Sequence, residues 1–262
     1  MKKYWTITQI SFRNRNVYLA EVLARSLFLV IVLFIFFQLW SKVYSGMGMR
    51  TVAGFSRGDM LWYLMVTQVL LISFPKMEMV INEEIRSGAI AYQLNKPYDY
   101  INYQLATYWG DLLARFLLTA AVGILTAWLC IGSMHLDVAH LPLFLLVFIG
   151  SQLLNFAIMM AIALLAFVVE DAMPFVWIKH KLLFTIGGLM IPVTVFPSFL
   201  QQLCLWLPFS NILYGPATLA IHFRWDTFWH VLIAQLAWFA VCMAIARWLY
   251  AALVRRLDIQ GG

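Results

Sequence analysis

LLFTIGGLMIPVTVFPSFLQQLCLWLPFSNILYGPATLAIHF, residues 182–223, runs for 42 positions without a charged side chain. A membrane-spanning helix needs about 20 apolar residues, so the stretch is long enough for two spans. Its halves differ. Leu182 to Phe196 is nearly all apolar. The rest holds Pro197, Pro208 and Pro216, with Gln201, Gln202, Ser210 and Asn211. Prolines break helices, and lipid does not solvate amides. Irregular backbone at membrane depth survives only where protein or a water-filled cavity covers it. The spacing therefore predicts one span, the fifth, followed by a segment over 197–222 that enters the outer half of the membrane and turns back.

Outward from this stretch, charges bracket five more apolar runs. They cover residues 26–41, 60–75, 116–136, 138–169 and 227–246. The first two are short, but Arg25 and Lys42 can snorkel to the headgroups and extend the first span. The runs are continuous rather than alternating, which argues against an antiparallel barrel. The whole chain of 262 residues is 63% hydrophobic and 11% charged, with a mean hydropathy of +0.83. That composition excludes a soluble domain, a disordered chain and a disulfide-stapled scaffold. Cys130, Cys204 and Cys242 sit in apolar runs with no metal-binding spacing and read as small core residues. No cleavable signal peptide is expected, because the first apolar run starts near Ser26 with no small-residue cleavage site after it.

The net charge of +6 reads as orientation. With six spans, 14 of the 18 Lys and Arg residues fall on the side that holds both termini, and Lys42, Arg50, Arg57 and Arg224 on the other. A seventh span weakens the bias to 11 against 7. Positive residues mark the cytoplasmic side, so both termini are expected there. Scattered basic residues give no support to a nucleic-acid partner.

Two cytoplasmic elements carry pattern. Within residues 1–16, Lys2, Thr6, Gln9 and Arg13 share one helical face, opposite Tyr4, Trp5, Ile7, Thr8 and Phe12. That is an amphipathic helix lying in the membrane interface. Residues 78–97 crowd Glu78, Asn82, Glu83, Glu84 and Arg86 into one helical stretch. Ser87-Gly88 offers a stop, since glycine accepts the left-handed conformation. Ala89 to Leu94 makes a second short helix, and Asn95-Lys96-Pro97 ends it. A long helix should follow from Tyr100 into the third span. The charged face of 78–86 is either solvated or a docking surface.

Other groups read blandly. His135, Asp137 and His140 lie in one outer loop and are taken as headgroup-depth polar residues rather than a metal site. Glu170-Asp171 and Lys179-His180-Lys181 read as a solvated turn, with a second partner contact as the other option. Gln38, Gln68, Gln152, Asn155 and Gln235 are expected to hydrogen-bond across helices, with a substrate path as the other option. Gly187-Gly188 and the pair Ala157 and Ala161 read as close helix packing. No charge lies mid-span, which disfavours an ion-coupled carrier. HExxH, GxSxG and the phosphate-binding GxxxxGK[ST] are all absent.

In this order the amphipathic N-terminal helix, the acidic helix ending at Gly88 and Lys96-Pro97, the proline-punctuated segment and the six-span length resemble the membrane permease subunits of ABC-2 type ABC transporters. The resemblance covers nearly the whole chain, as one transmembrane domain over 1–262. It implies that 78–97 is a coupling helix docking in an ATPase subunit through Glu83, Glu84, Arg86 and Gly88, with Lys96 and Pro97 closing the element. It implies an outer re-entrant gate at Pro197, Pro208, Asn211 and Pro216. The expected fold is all-α, with six transmembrane helices. The chain itself would bind no cofactor, with ATP and Mg held by the separate ATPase, so it would not be an enzyme. A second permease copy or a paralogue would complete the pathway. The expected setting is a bacterial inner membrane, with membrane lipid around it and an apolar or amphipathic cargo moved outward by alternating access. The competing class is an ATPase-independent channel, secondary carrier or structural membrane subunit.

Overall fold

The computed structural model describes residues 2–15, 19–48, 50–133, 136, 138–169 and 171–260. Helices dominate. In chain order they are α1 (Lys2–Arg15), α2 (Leu19–Met47), α3 (Arg57–Ser73), α4 (Met77–Arg86), α5 (Ile90–Leu94), α6 (Tyr100–Ile131), α7 (Leu141–Leu164), α8 (Ala166–Val169), α9 (Met173–Thr185), α10 (Ser198–Trp206), α11 (Pro208–Ile212), α12 (Tyr214–Ile221) and α13 (Trp225–Gln260). A two-residue β-hairpin, Thr51–Val52 with Phe55–Ser56, turns the chain between α2 and α3. Ala53 and Gly54 both take positive φ there, as such a tight turn requires.

Among the described residues, five helical segments are long and apolar enough to cross a membrane: Ala24–Gly46, Arg57–Arg86, Tyr100–Ile131, Leu141–Val169 and Trp225–Ala252. They coincide with five of the six expected runs. The long helix from Tyr100 runs into the third apolar run as its sequence predicts. Ser56 and Asp59 start α3 with a capping box, each side chain accepting from the other's backbone N–H.

The exception is the run beginning at Leu182. α9 is 13 residues long and ends at Thr185. At about 1.5 Å per residue it spans roughly 20 Å, short of the ~30 Å hydrocarbon core. The expected continuous span over 182–196 is therefore broken. Gly188 takes φ of +76°, outside the helical region, and Pro192 removes a donor four residues on. The glycine pair breaks this helix, and Gly188 also packs closely as the sequence suggested, since a Cβ there would lie 2.8 Å from Tyr214 Cβ.

α3 and α7 form the centre. α3 packs on α2, α6 and α12, and α7 packs on α13 and α4. Trp62, Tyr63, Met60 and Leu64 of α3 and Leu154, Phe156 and Met160 of α7 are fully buried. α2, α6 and α13 lie outside them and keep Phe28, Phe34, Leu117, Leu129, Trp229 and Ile233 on the outer surface. An apolar exterior around an apolar core is what a lipid-surrounded bundle needs.

Candidate functional site

The charged stretch 78–97 folds into two short helices at one end of the bundle. α4 places Met77, Ile81 and Ile85 inward at four-residue spacing. Its end is set by backbone bonds: Ser87 N–H donates to the Glu83 carbonyl at 2.9 Å, and Gly88 N–H to the Ile85 carbonyl at 3.1 Å. Gly88 has φ of +74°, so the expected stop is a left-handed residue that favours glycine. α5 then buries Ile90, and Asp99 caps α6 by accepting from Asn102 N–H at 2.8 Å.

The six residues singled out in the sequence do not behave alike. Glu83, Arg86, Gly88 and Pro97 are exposed at the tip, beside Tyr92 at 71% exposure. Glu84 turns back, its Oε2 accepting from the Tyr100 hydroxyl of α6 at 2.9 Å. Lys96 is held over the Tyr92 ring at 4.8 Å and donates to Gln93 Oε1 at 2.9 Å. The open face of the tip is thus built on Glu83 and Arg86.

The other polar residues of α4 face the core. Glu78 and Asn82 are buried, so the acidic cluster seen in the sequence is split between two faces. Asn82 Oδ1 accepts from Ala172 N–H at 3.0 Å, and its Nδ2 donates to Asp171 Oδ1 at 3.2 Å. Asp171 also accepts from Met173 N–H at 2.9 Å, starting α9. The chain from α4 to α9 is thereby pinned.

Lys179 is the sharpest departure from expectation. The turn predicted for Lys179-His180-Lys181 is instead the interior of α9, on which His180 and Lys181 are exposed. Lys179 is 2% exposed and donates to Asn155 Oδ1 at 2.6 Å. Asn155 Nδ2 donates to the Tyr108 hydroxyl at 3.0 Å, which donates to Gln152 Oε1 at 3.1 Å. Burial lowers the Lys179 ammonium to about 8, while the charge of nearby Glu78 opposes that fall. One helical signal was available: Val176, Lys179 and Leu183 lie at i, i+3 and i+7, and all three are buried. Asp171 is likewise bonded rather than simply solvated, and Glu170 lies outside the described residues.

The broken stretch after α9 is satisfied by α3. The Tyr63 hydroxyl donates to the Gly188 carbonyl, and Thr67 Oγ1 to the Leu189 carbonyl at 2.9 Å. Tyr214 N–H donates to the Gly187 carbonyl at 3.2 Å. Unwound backbone at this depth is tolerable because side chains reach its polar groups.

The expected gate segment folds as α10, α11 and α12. Pro208 opens α11 at its first turn, where a missing N–H costs nothing. Pro208, Asn211 and Pro216 are buried, while Pro197, ahead of α10, is exposed. Gln235 of α13 donates to the Asn211 carbonyl at 2.8 Å and the Val147 carbonyl at 3.1 Å, tying this segment to α7 and α13. Gln152, Asn155 and Gln235 therefore hydrogen-bond across helices as their sequence positions suggest, whereas Gln38 is exposed. His140 stacks on Phe223 at 4.0 Å. His135 and Asp137 lie outside the described residues, and no three metal-ligating side chains converge among the described ones.

A family model described as ABC-2 family transporter protein matches residues 27–261. The chain belongs to the ABC-2 transporter family. No curated protein matches it. As an ABC-2 permease it is a multi-pass membrane protein, and membership implies partnership with ABC ATPase subunits.

The permease's N-terminal helix shows what sequence spacing missed. α1 packs along α6, with Tyr4, Ile7, Thr8, Ser11 and Phe12 on the inner side and Lys2, Thr6, Gln9 and Arg13 outside. Thr8 Oγ1 donates to the Ala106 carbonyl at 2.9 Å. A Cβ at Gly110 would lie 2.4 Å from the Thr8 carbonyl oxygen, so only glycine admits this approach. Lys3 Nζ donates to the Pro97 carbonyl at 3.2 Å, joining α1 to the end of the charged tip. A lone Gly inside α6 was the available cue.

Proposed function

We propose that this ABC-2 permease is the membrane half of an ATP-driven exporter that moves an apolar or amphipathic cargo outward by alternating access. The reading rests on one observation above others. The exposed tip at Glu83, Arg86 and Gly88 stands on a helix whose opposite face is bonded, through Asn82, to the start of α9. A push on the tip therefore reaches the helix that unwinds at Gly188.

In this reading 78–97 is the coupling element, and Glu83 and Arg86 make charge-assisted bonds to a separate ATPase. ATP and Mg sit on that ATPase, and this chain is not itself an enzyme. Six crossings are proposed, the fifth being the interrupted stretch over 182–196. The 197–222 segment is an outer re-entrant gate. α1 lies in the cytoplasmic interface with Trp5, 64% exposed, at headgroup depth. Both termini face the cytoplasm of a bacterial inner-membrane protein, and a second permease copy or paralogue completes the pathway.

The test is co-purification with an ABC ATPase subunit, followed by substrate-stimulated ATP hydrolysis. Retained association and stimulation after Glu83→Ala with Arg86→Ala would remove the coupling assignment. A reporter fused within residues 80–95 that scores outside the cell would remove the topology.

A further inference from the structure

Between α2, the α3–α4 junction and α9 lies a cavity of 990 Å³, at the upper end of small-molecule sites. Basic side chains from all three elements converge on it: Arg25 of α2, Lys76 ahead of α4, and Lys179 and Lys181 of α9, with His180 beside them. One carboxylate, Glu78, opposes them. The remaining wall is apolar. Phe28, Met79, Trp177 and Phe184 line it, and each is between 45% and 67% exposed rather than packed into the core.

Orientation by positive residues explains why basic groups occur at this end of the spans, but not why three separate elements direct them into one cavity with aromatic walls. Cations on one side and an open apolar wall on the other match a ligand with an anionic headgroup and an apolar tail. A soluble anion leaves the aromatic wall unused, and a neutral hydrocarbon makes no use of Lys76 and Lys181.

We propose that this cavity binds an anionic amphiphile, its phosphate or carboxylate at Lys76 and Lys181 and its tail along Phe28, Trp177 and Phe184. Lys179 is committed to Asn155 and forms the floor. The site refines the cargo class of the transport reading and rests on it for that role only. Binding is measured on the isolated full-length chain, so failure to find an ATPase leaves this test intact.

The probe is a brominated short-chain phosphatidylglycerol, compared with the matching phosphatidylcholine, titrated onto the detergent-solubilised chain. Trp177 quenching is read as the difference from Trp177→Phe. Phosphatidylglycerol is expected to bind at least about fivefold tighter, since one basic residue near a lipid surface contributes about that factor. Lys76→Gln with Lys181→Gln should reduce the preference below twofold, and the Lys→Arg pair should keep it. Both lysines are exposed, so neither change disturbs packing. Equal affinity for the two lipids overturns the proposal, and so does a preference that survives the Gln pair. Displacement by millimolar inorganic phosphate, with no tail dependence, assigns the cavity to a free anion and also overturns it. If the Gln pair does not fold, the two-lipid comparison on the unaltered chain decides alone.

Discussion

Lys179 Nζ of α9 donates to Asn155 Oδ1 of α7 at 2.6 Å, with the lysine side chain 2% exposed. This bond heads a buried chain that runs on through Tyr108 to Gln152 and joins α9, α7 and α6. Glu78, whose charge acts on Lys179, is buried on α4. Removing the lysine leaves Asn155 Oδ1 buried without its donor, at a cost of about 1–3 kcal/mol. Lys179→Met should therefore lower the thermal midpoint of the solubilised protein sharply. Adding Glu78→Gln to Lys179→Met should recover part of that loss. A double variant as unstable as the sum of the two singles would show that the charges are not coupled.

The same lysine makes stability depend on alkaline pH. Burial lowers its folded value to about 8 from an ordinary 10.5. Between those values the unfolded chain binds the extra proton, so stability attributable to this residue rises with pH from about 8 to 10.5 and is flat below. The measurement is the thermal midpoint of wild type minus that of Lys179→Gln across this window. A difference that does not change with pH would contradict the burial of a titrating amine.

Thr67 holds the unwound stretch from the side, donating to the Leu189 carbonyl. Thr67→Val keeps the shape and deletes the donor, at a cost of about 1–3 kcal/mol for a carbonyl left buried. Thr67→Ser should restore it. Transport should fall with Thr67→Val more than with an equally destabilising change in α2, because the broken helix is the element proposed to move. Equal loss in both variants would reduce Thr67 to a packing role.

Glu83 and Glu84 are adjacent in sequence and should fail differently. Glu83→Lys is expected to weaken ATPase association by about tenfold or more, because a like charge at an interface costs several kcal/mol. Its effect on the permease's own melting should be within about 0.5 kcal/mol, as for other surface changes. Glu84→Ala frees the Tyr100 hydroxyl and should lower stability by about 1–3 kcal/mol instead. Pull-down and thermal melts on both variants separate the two. Matching behaviour would mean that both carboxylates face one way.

Gly110→Val drives a side chain into the Thr8 backbone and should release α1 from α6. Overpacking typically costs about 1–3 kcal/mol. A cysteine placed at Thr8 should become reactive to a water-soluble maleimide in the Gly110→Val background and stay protected otherwise. Unchanged protection would mean that α1 is held mainly elsewhere along its length.

Much of the architecture was legible because apolar runs and charges act locally. Five of the expected runs became long helices, and Gly88 and Pro97 punctuate the charged tip where their backbone chemistry places them. The site was less legible. Glu78, Asn82, Glu83 and Glu84 look like one acidic patch in the sequence, but a helix turns about 100° per residue, and packing against α7 chose which of them point inward.

By itself, the sequence determined that this protein is an all-helical membrane chain, where its charges concentrate, and that the run beginning at Leu182 carries residues unfit for a plain span. Hydropathy and proline chemistry are properties of single residues and short windows, so one dimension suffices for them. Only the tertiary structure decided that Lys179 is buried, that Tyr63 and Thr67 serve the carbonyls of Gly188 and Leu189, and that Arg25, Lys76 and Lys181 share a cavity. Those pairings join residues about 50 to 155 positions apart in the chain, and hydrogen bonds act over about 3 Å. No local pattern specifies them before the helices pack.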